Sequence, residues 1–150
     1  MFVPTRVFLT DCLTILKSAG ATGTDPKLFG SKIGLIKADF TPTPDLVLGG
    51  ITEADFDGYA KVAAAPFSAV FEGEGDLELV SAASKHWQPT GSVTPNTIYG
   101  WFLVDSGGTI LLGTEKFDSP IALNGSGFAF DHTARFGFDP NANFGAAVIG

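Results

Sequence analysis

"TIYGWFLVDSGGTILLGTEKFD", residues 97–118, decides the fold. Its first part, 97–105, is the most strongly apolar strand-like run in the chain and reads as a central strand. The three residues that follow, Ser106-Gly107-Gly108, form a short Gly-containing link of the kind that closes a hairpin. The second run, 109–118, then returns alongside the first.

Downstream, "PIALNGSGFAFDHTARFGFD" (120–139) continues the pattern. Asn124-Gly125 favours a turn. Phe128, Phe130, His132, Ala134, Phe136 and Phe138 share parity, and five of the six are apolar, so that face is expected to be buried. The opposite parity carries Asp131, Thr133 and Arg135 and should be wet.

Upstream, strands are expected at 32–40, 58–64 and 77–88, the last with Leu77 and Leu79 on one face. "FEGEGDLEL" (71–79) reads as an exposed turn whose charges keep an edge strand from sticking. Residues 6–18 are the best helix candidate, with Val7, Leu9, Leu13 and Leu16 near one face, although their β-branched and aromatic content would also suit a strand. Gly20 ends that helix. Six to eight short strands without βαβ alternation predict a mainly β chain: an antiparallel β-sandwich, jelly-roll-like, with a short N-terminal helix. The 150 residues fit one domain (1–150), with residues 1–5 as an N-terminal arm and 140–150 as a C-terminal arm or a frayed end.

The stretch "DFTPTPDLVLGGITEADFDGYAKV" (39–62) breaks the strand pattern. Pro42 and Pro44 push their predecessors out of the α region and remove backbone donors, so this segment should run extended along a surface or an edge. Thr52 is placed to cap a short helical turn, with Glu53 and Asp55 near its positive end. Asp55, Asp57 and Gly58 superficially suggest a calcium loop, but neither the full ligand spacing nor the distal Glu is met.

Composition narrows the function classes. A chain this long buries roughly 70% of its unfolded surface. Hydrophobic residues make up 45% and charged residues 17%, against about 25% charged in an ordinary soluble domain. Fourteen Phe must therefore be hidden, either in a Phe-rich core or against other subunits. A net charge of −7 argues against nucleic acid and against anionic membrane surfaces. The single Cys12 excludes an internal disulfide framework and suits a buried small hydrophobe. Asp11 interrupts the apolar part of the N-terminus, so it does not read as a signal peptide, and synthesis in a cytoplasm follows.

Catalytic signals are weak. His86 and His132 have no partner at metal-ligand spacing. His132, on the Phe-lined face, is expected to be a core histidine with a satisfied hydrogen bond, and His86 a strand-end or surface residue. Carboxylate pairs such as Glu72/Glu74 and Asp55/Asp57 are ordinary in an acidic chain. Trp87, Tyr99 and Trp101 could stack a sugar, but packing in strands explains them as well. No catalytic, cofactor-binding or metal residue is assigned, no binding interface is localised, and the expectation is a non-enzyme without a cofactor.

Three blocks carry a resemblance: "VFLTDCLTIL" (7–16), "KIGLIKADFTPTPDLVLGGITEADFDGYAKV" (32–62) and "TPNTIYGWFLVDSGGTILLGTEKFDSPIAL" (94–123). Together they are similar to a group of small structural proteins of tailed bacteriophages. In that group "LADLTEA" stands where this chain has "LGGITEA", and an aromatic pair is more usual where it has "YGWFL". The resemblance implies a virion protein made in the host cytoplasm, of the capsid decoration (cement) type. Its partners would be the major capsid protein or other virion proteins, and it would form a homo-oligomer, with a trimer favoured. A tail- or fibre-associated module binding a host glycan is the alternative.

Overall fold

A computed structural model describes residues 2–7, 30–65, 71–72, 78–91, 96–124 and 128–138. Residues 3, 71–72, 78–81, 96 and 135–138 are described by their backbone alone. Among the described residues, ten strands follow in chain order: β1 (Val3–Pro4), β2 (Lys32–Ile36), β3 (Val62–Ala63), β4 (Phe71–Glu72), β5 (Glu78–Ser81), β6 (Lys85–Trp87), β7 (Asn96–Val104), β8 (Leu111–Leu123), β9 (Phe130–His132) and β10 (Arg135–Phe138). The fold is mainly β, and every strand pairing is antiparallel.

The expected hairpin is the centre of the molecule. β7 is the middle strand of a five-stranded sheet ordered β1-β8-β7-β2-β3. Its link to β8 is organised by Asp105, whose Oδ1 accepts the N–H groups of Thr109 (2.7 Å) and Ile110 (2.8 Å). Gly108 takes a φ of +72°, which a side chain would disfavour. Opposite Tyr99, in the N-terminal half of β7, β8 bulges. Gly100 pairs with Lys116, but Ile98 pairs with Ile121, so residues 117–120 stand against Tyr99 alone. The close approach there requires a glycine: a Cβ on Gly100 would lie 2.1 Å from the Glu115 carbonyl oxygen.

The remaining strands form a three-stranded sheet, β10-β5-β4, and the pair β6-β9, which packs as a second layer on the five-stranded sheet through Trp87 and Phe130. β5 and β6 run against β10 and β9 with a one-residue shift in register, from Ser81↔Arg135 to Lys85↔His132. β4 is an edge strand, as the charged "FEGEGDLEL" segment suggested.

Both faces of the central sheet are buried. Ile33, Leu35, Ile98, Trp101, Leu103 and Leu112 face the larger core, which Trp87 and Phe130 of the second layer complete with Ala82 and Ala134. Ile36, Phe102, Val104 and Leu111 face the other way and are covered by Phe40, Leu46, Leu48 and Ile51. Burying a side chain such as Phe102 contributes about 1.5–3 kcal/mol. The Pro-rich segment is therefore a strap across the back of the sheet.

Several expectations are corrected. The helical turn in the strap is a 3-10 turn at Leu48–Gly50, ahead of Thr52, and Val47 caps it without a side-chain bond. Glu53 instead bridges to Ile36, because the open edge of β2 offers the segment 52–54 a better set of backbone partners. Within the segment 1–5, Val3 and Pro4 form β1 of the five-stranded sheet: Val3 pairs with Thr114 and Pro4 with Gly113. Phe2 stacks on Trp101 at 5.4 Å. Phe130 and Ala134 are buried as their parity predicts, but Phe128 is 51% exposed because it precedes β9 and the strand alternation does not reach it. Apart from Arg6 and Val7, the helix expected over 6–18 lies outside the described residues, as do Cys12, Leu77, Gly125 and the arm 140–150.

Candidate functional site

Two constellations bring polar side chains together. The first lies along the strap. β3 pairs with β2 only at Lys32 and Ile33, which leaves the next part of that edge open. The chain closes it with three groups. Ala54 N–H donates to the Leu35 carbonyl (2.9 Å), Lys37 N–H donates to the Thr52 carbonyl (2.9 Å), and Leu35 N–H donates to the Tyr59 hydroxyl (3.0 Å). The Tyr59 O–H donates in turn to Glu53 Oε1 (2.8 Å), and Lys61 Nζ donates to the other carboxylate oxygen (2.6 Å). Lys61 also stands 5.7 Å from the centre of the Phe102 ring. Gly34 makes room for this arrangement, since a Cβ there would lie 2.4 Å from Phe102 Cζ and 2.8 Å from the Tyr59 hydroxyl.

Ion pairs then pin the strap from outside: Arg6 with Asp45, Lys37 with Asp55, and Lys116 with Asp39. The hydrogen bonds to Arg6 and Lys116 hold the Asp45 and Asp39 carboxyls below the usual carboxylate range. Two of the acids that suggested a helix N-terminus or a calcium loop, Glu53 and Asp55, are thus committed to cross-links. Asp55 faces Lys37, and the Asp57 carbonyl accepts the Thr90 N–H (2.9 Å). Among the described residues, no three His, Cys, Asp or Glu side chains converge as metal ligands.

The second constellation lies between the layers. Trp101 is fully buried and donates its indole N–H to Glu115 Oε2 (2.9 Å). His132 sits beside it, with ring centres 5.9 Å from Trp101, 5.3 Å from Phe117 and 5.8 Å from Phe130. The expected satisfied hydrogen bond is not found at His132 Nε2, which is buried and has no partner among the described residues. Burial lowers the His132 pKa, and the Glu115 charge opposes that shift. His86 is exposed, as expected, and its Nδ1 lies 2.8 Å from Asp131 Oδ1 across the β6–β9 pair. That hydrogen bond raises its pKa.

The three aromatic residues considered for sugar stacking do not form a platform. Trp101 and Trp87 are core residues, and the Trp87 indole N–H donates to the Ala60 carbonyl (3.0 Å). Tyr99 is half-buried beside the bulge. Sequence reasoning missed Phe2 and the strap residues Leu46, Leu48 and Ile51. Their only signal was apolar residues embedded in a Pro/Gly turn region, without a strand or helix period. The Glu72 side chain and Glu74 lie outside the described residues.

Among the described residues, no helix is long and apolar enough to cross a membrane. Comparison with family models, curated proteins and solved structures finds no match to this chain.

Proposed function

We propose that this protein is a structural component of a tailed-phage virion, a capsid decoration protein that binds the head lattice and ties neighbouring capsomers together. In this reading the two β layers form a jelly-roll-like sandwich. The unit is a homo-oligomer, a trimer by preference, on the major capsid protein. The mechanism is repeated contact area, multiplied by lattice avidity, without bond making or breaking.

The observation that supports this reading is the packing of the two main sequence blocks behind the resemblance. Leu46, Leu48 and Ile51 of the first lie against Phe102, Val104 and Leu111 of the second. The blocks are far apart in sequence and build one rigid unit, the strapped hairpin. Such a unit has the open part of its β2 edge closed by residues 52–59, which suits a protein that must present one surface many times without aggregating. The strap also presents Val47, which is 66% exposed between the inward-facing Leu46 and Leu48.

The alternative, a tail- or fibre-associated module that binds host glycan, would need exposed aromatic rings. Trp87 and Trp101 are spent on the core.

The test is cosedimentation of the purified protein with phage heads that lack it, together with its native mass. Saturable binding to heads is expected, with a mass of three chains. Binding to tails or host cells but not to heads would transfer the protein to the alternative. Binding to none of them would remove both readings.

A further inference from the structure

Trp101, Glu115 and His132 are joined without any reference to assembly. Trp101 and Glu115 are register partners on β7 and β8, and the indole N–H is held by the carboxylate at 2.9 Å. Phe117, two residues beyond Glu115 on the same face of β8, brings its ring to 5.3 Å from His132. The Trp101 ring is 5.9 Å from His132 as well. Glu115 thus holds the indole of one ring packed on His132 and stands two residues from the other, with its carboxylate charge acting on the imidazole.

We propose that Trp101, Glu115 and His132 form a proton-operated latch between the five-stranded sheet and β9. With His132 neutral, Glu115 holds the Trp101 indole N–H. A proton taken from solvent turns both imidazole nitrogens into donors. The buried Nε2, which has no acceptor among the described residues, then carries an N–H that must be satisfied. Glu115 is the carboxylate whose charge acts on the imidazole. The carboxylate turns toward the imidazolium, the indole bond is released, and β9 shifts against the sheet.

Among the described residues, the other charged side chains near His132 are engaged elsewhere. Lys85, its cross-strand partner on β6, directs its Nζ away to the Ala65 carbonyl (2.9 Å). Asp131 is on the opposite face of β9, paired with His86. Lys116 is turned to the back of the sheet with Asp39. From β7, the neighbouring side chain is the ring of Trp101, which is itself stacked by Phe2.

The test is an NMR titration of the intact protein from pH 8 to the onset of acid unfolding. It follows the Trp101 indole N–H and both histidine rings. The indole signal is expected to move with the same midpoint as His132, below the ordinary 6.5. Glu115→Gln should abolish the indole shift and move the His132 midpoint further down. His132→Phe should leave the indole signal flat. The latch is overturned if the indole signal stays still while His132 titrates, if it follows His86 instead, or if His132 stays neutral until the protein unfolds. The first readout uses the unmodified chain, so it stands even if a variant fails to fold.

Discussion

The Tyr59 hydroxyl accepts the backbone N–H of Leu35 at 3.0 Å and so serves as the missing neighbour of β2. A side chain does here what a strand does elsewhere. Tyr59→Phe removes that acceptor and also a donor to Glu53. A buried donor without a partner costs about 1–3 kcal/mol. Urea unfolding at pH 7 should show a loss of that size, with an unchanged m-value. Burial, first of all, pushes the Tyr59 phenol far above its ordinary 10.0. The folded state thus keeps a proton that the unfolded chain releases, so this contribution is present below pH 10 and falls as pH rises above it. Tyr59→Phe should lessen the alkaline loss of stability.

Gly100 tests the bulge. In Gly100→Ala the new methyl meets a backbone oxygen, Glu115 O, at 2.1 Å, and a backbone cannot swing aside as a flexible side chain can. A loss of about 1–3 kcal/mol is expected from overpacking. Gly49→Ala is the control, because a Cβ there meets nothing within 4 Å. It should change stability by less than about 0.5 kcal/mol.

Phe128 and Phe130 are two residues apart and should respond in opposite ways. Phe130 is 8% exposed and stacks on Trp87 at 6.0 Å. Phe130→Asp buries an unpaired charge and should prevent folding. Phe128→Asp, at a site 51% exposed, should leave the melting temperature close to that of the parent. Equal damage from both would mean that the alternation of β9 extends back to Phe128.

These contrasts mark how far the sequence could be read. The hairpin 97–118 was legible because its strands are apolar runs joined by a Gly-containing link, and the central place of β7 followed from burial on both sides. The strap was not legible as a cover. Leu46, Leu48 and Ile51 sit in extended and 3-10 backbone, where side-chain direction has no fixed period. Thr52-Glu53 looked like a helix start because local capping chemistry is visible in sequence, whereas the open edge of β2 that captured the segment is a tertiary fact. β1 is only two residues long, too short for any pattern. The unsatisfied His132 nitrogen depends on which rings close around it, and no spacing encodes that.

Val47 probes the outward side of the strap. Its neighbours Leu46 and Leu48 pack on the second core, while Val47 itself is 66% exposed. Val47→Asp should leave melting unchanged, since the side chain already meets water. If the strap contributes to a lattice contact, the same change should weaken cosedimentation with heads. Undiminished binding would remove the strap from that contact.

The two histidines should titrate in opposite directions, and the sign of each follows from its neighbours. His86 is raised above 6.5, chiefly by its hydrogen bond to Asp131. Its stabilising contribution is fully present below pH 6.5 and is lost as pH rises through the folded-state midpoint. His132 is lowered, chiefly by burial, so its contribution is present above pH 6.5 and is lost as pH falls through its own midpoint. NMR should therefore find two midpoints on either side of 6.5. Asp131→Asn should bring the higher one back toward 6.5 and leave the lower one in place, because Asp131 faces His86 and not His132. If the lower midpoint moved instead, the two faces of β9 would be assigned the wrong way round.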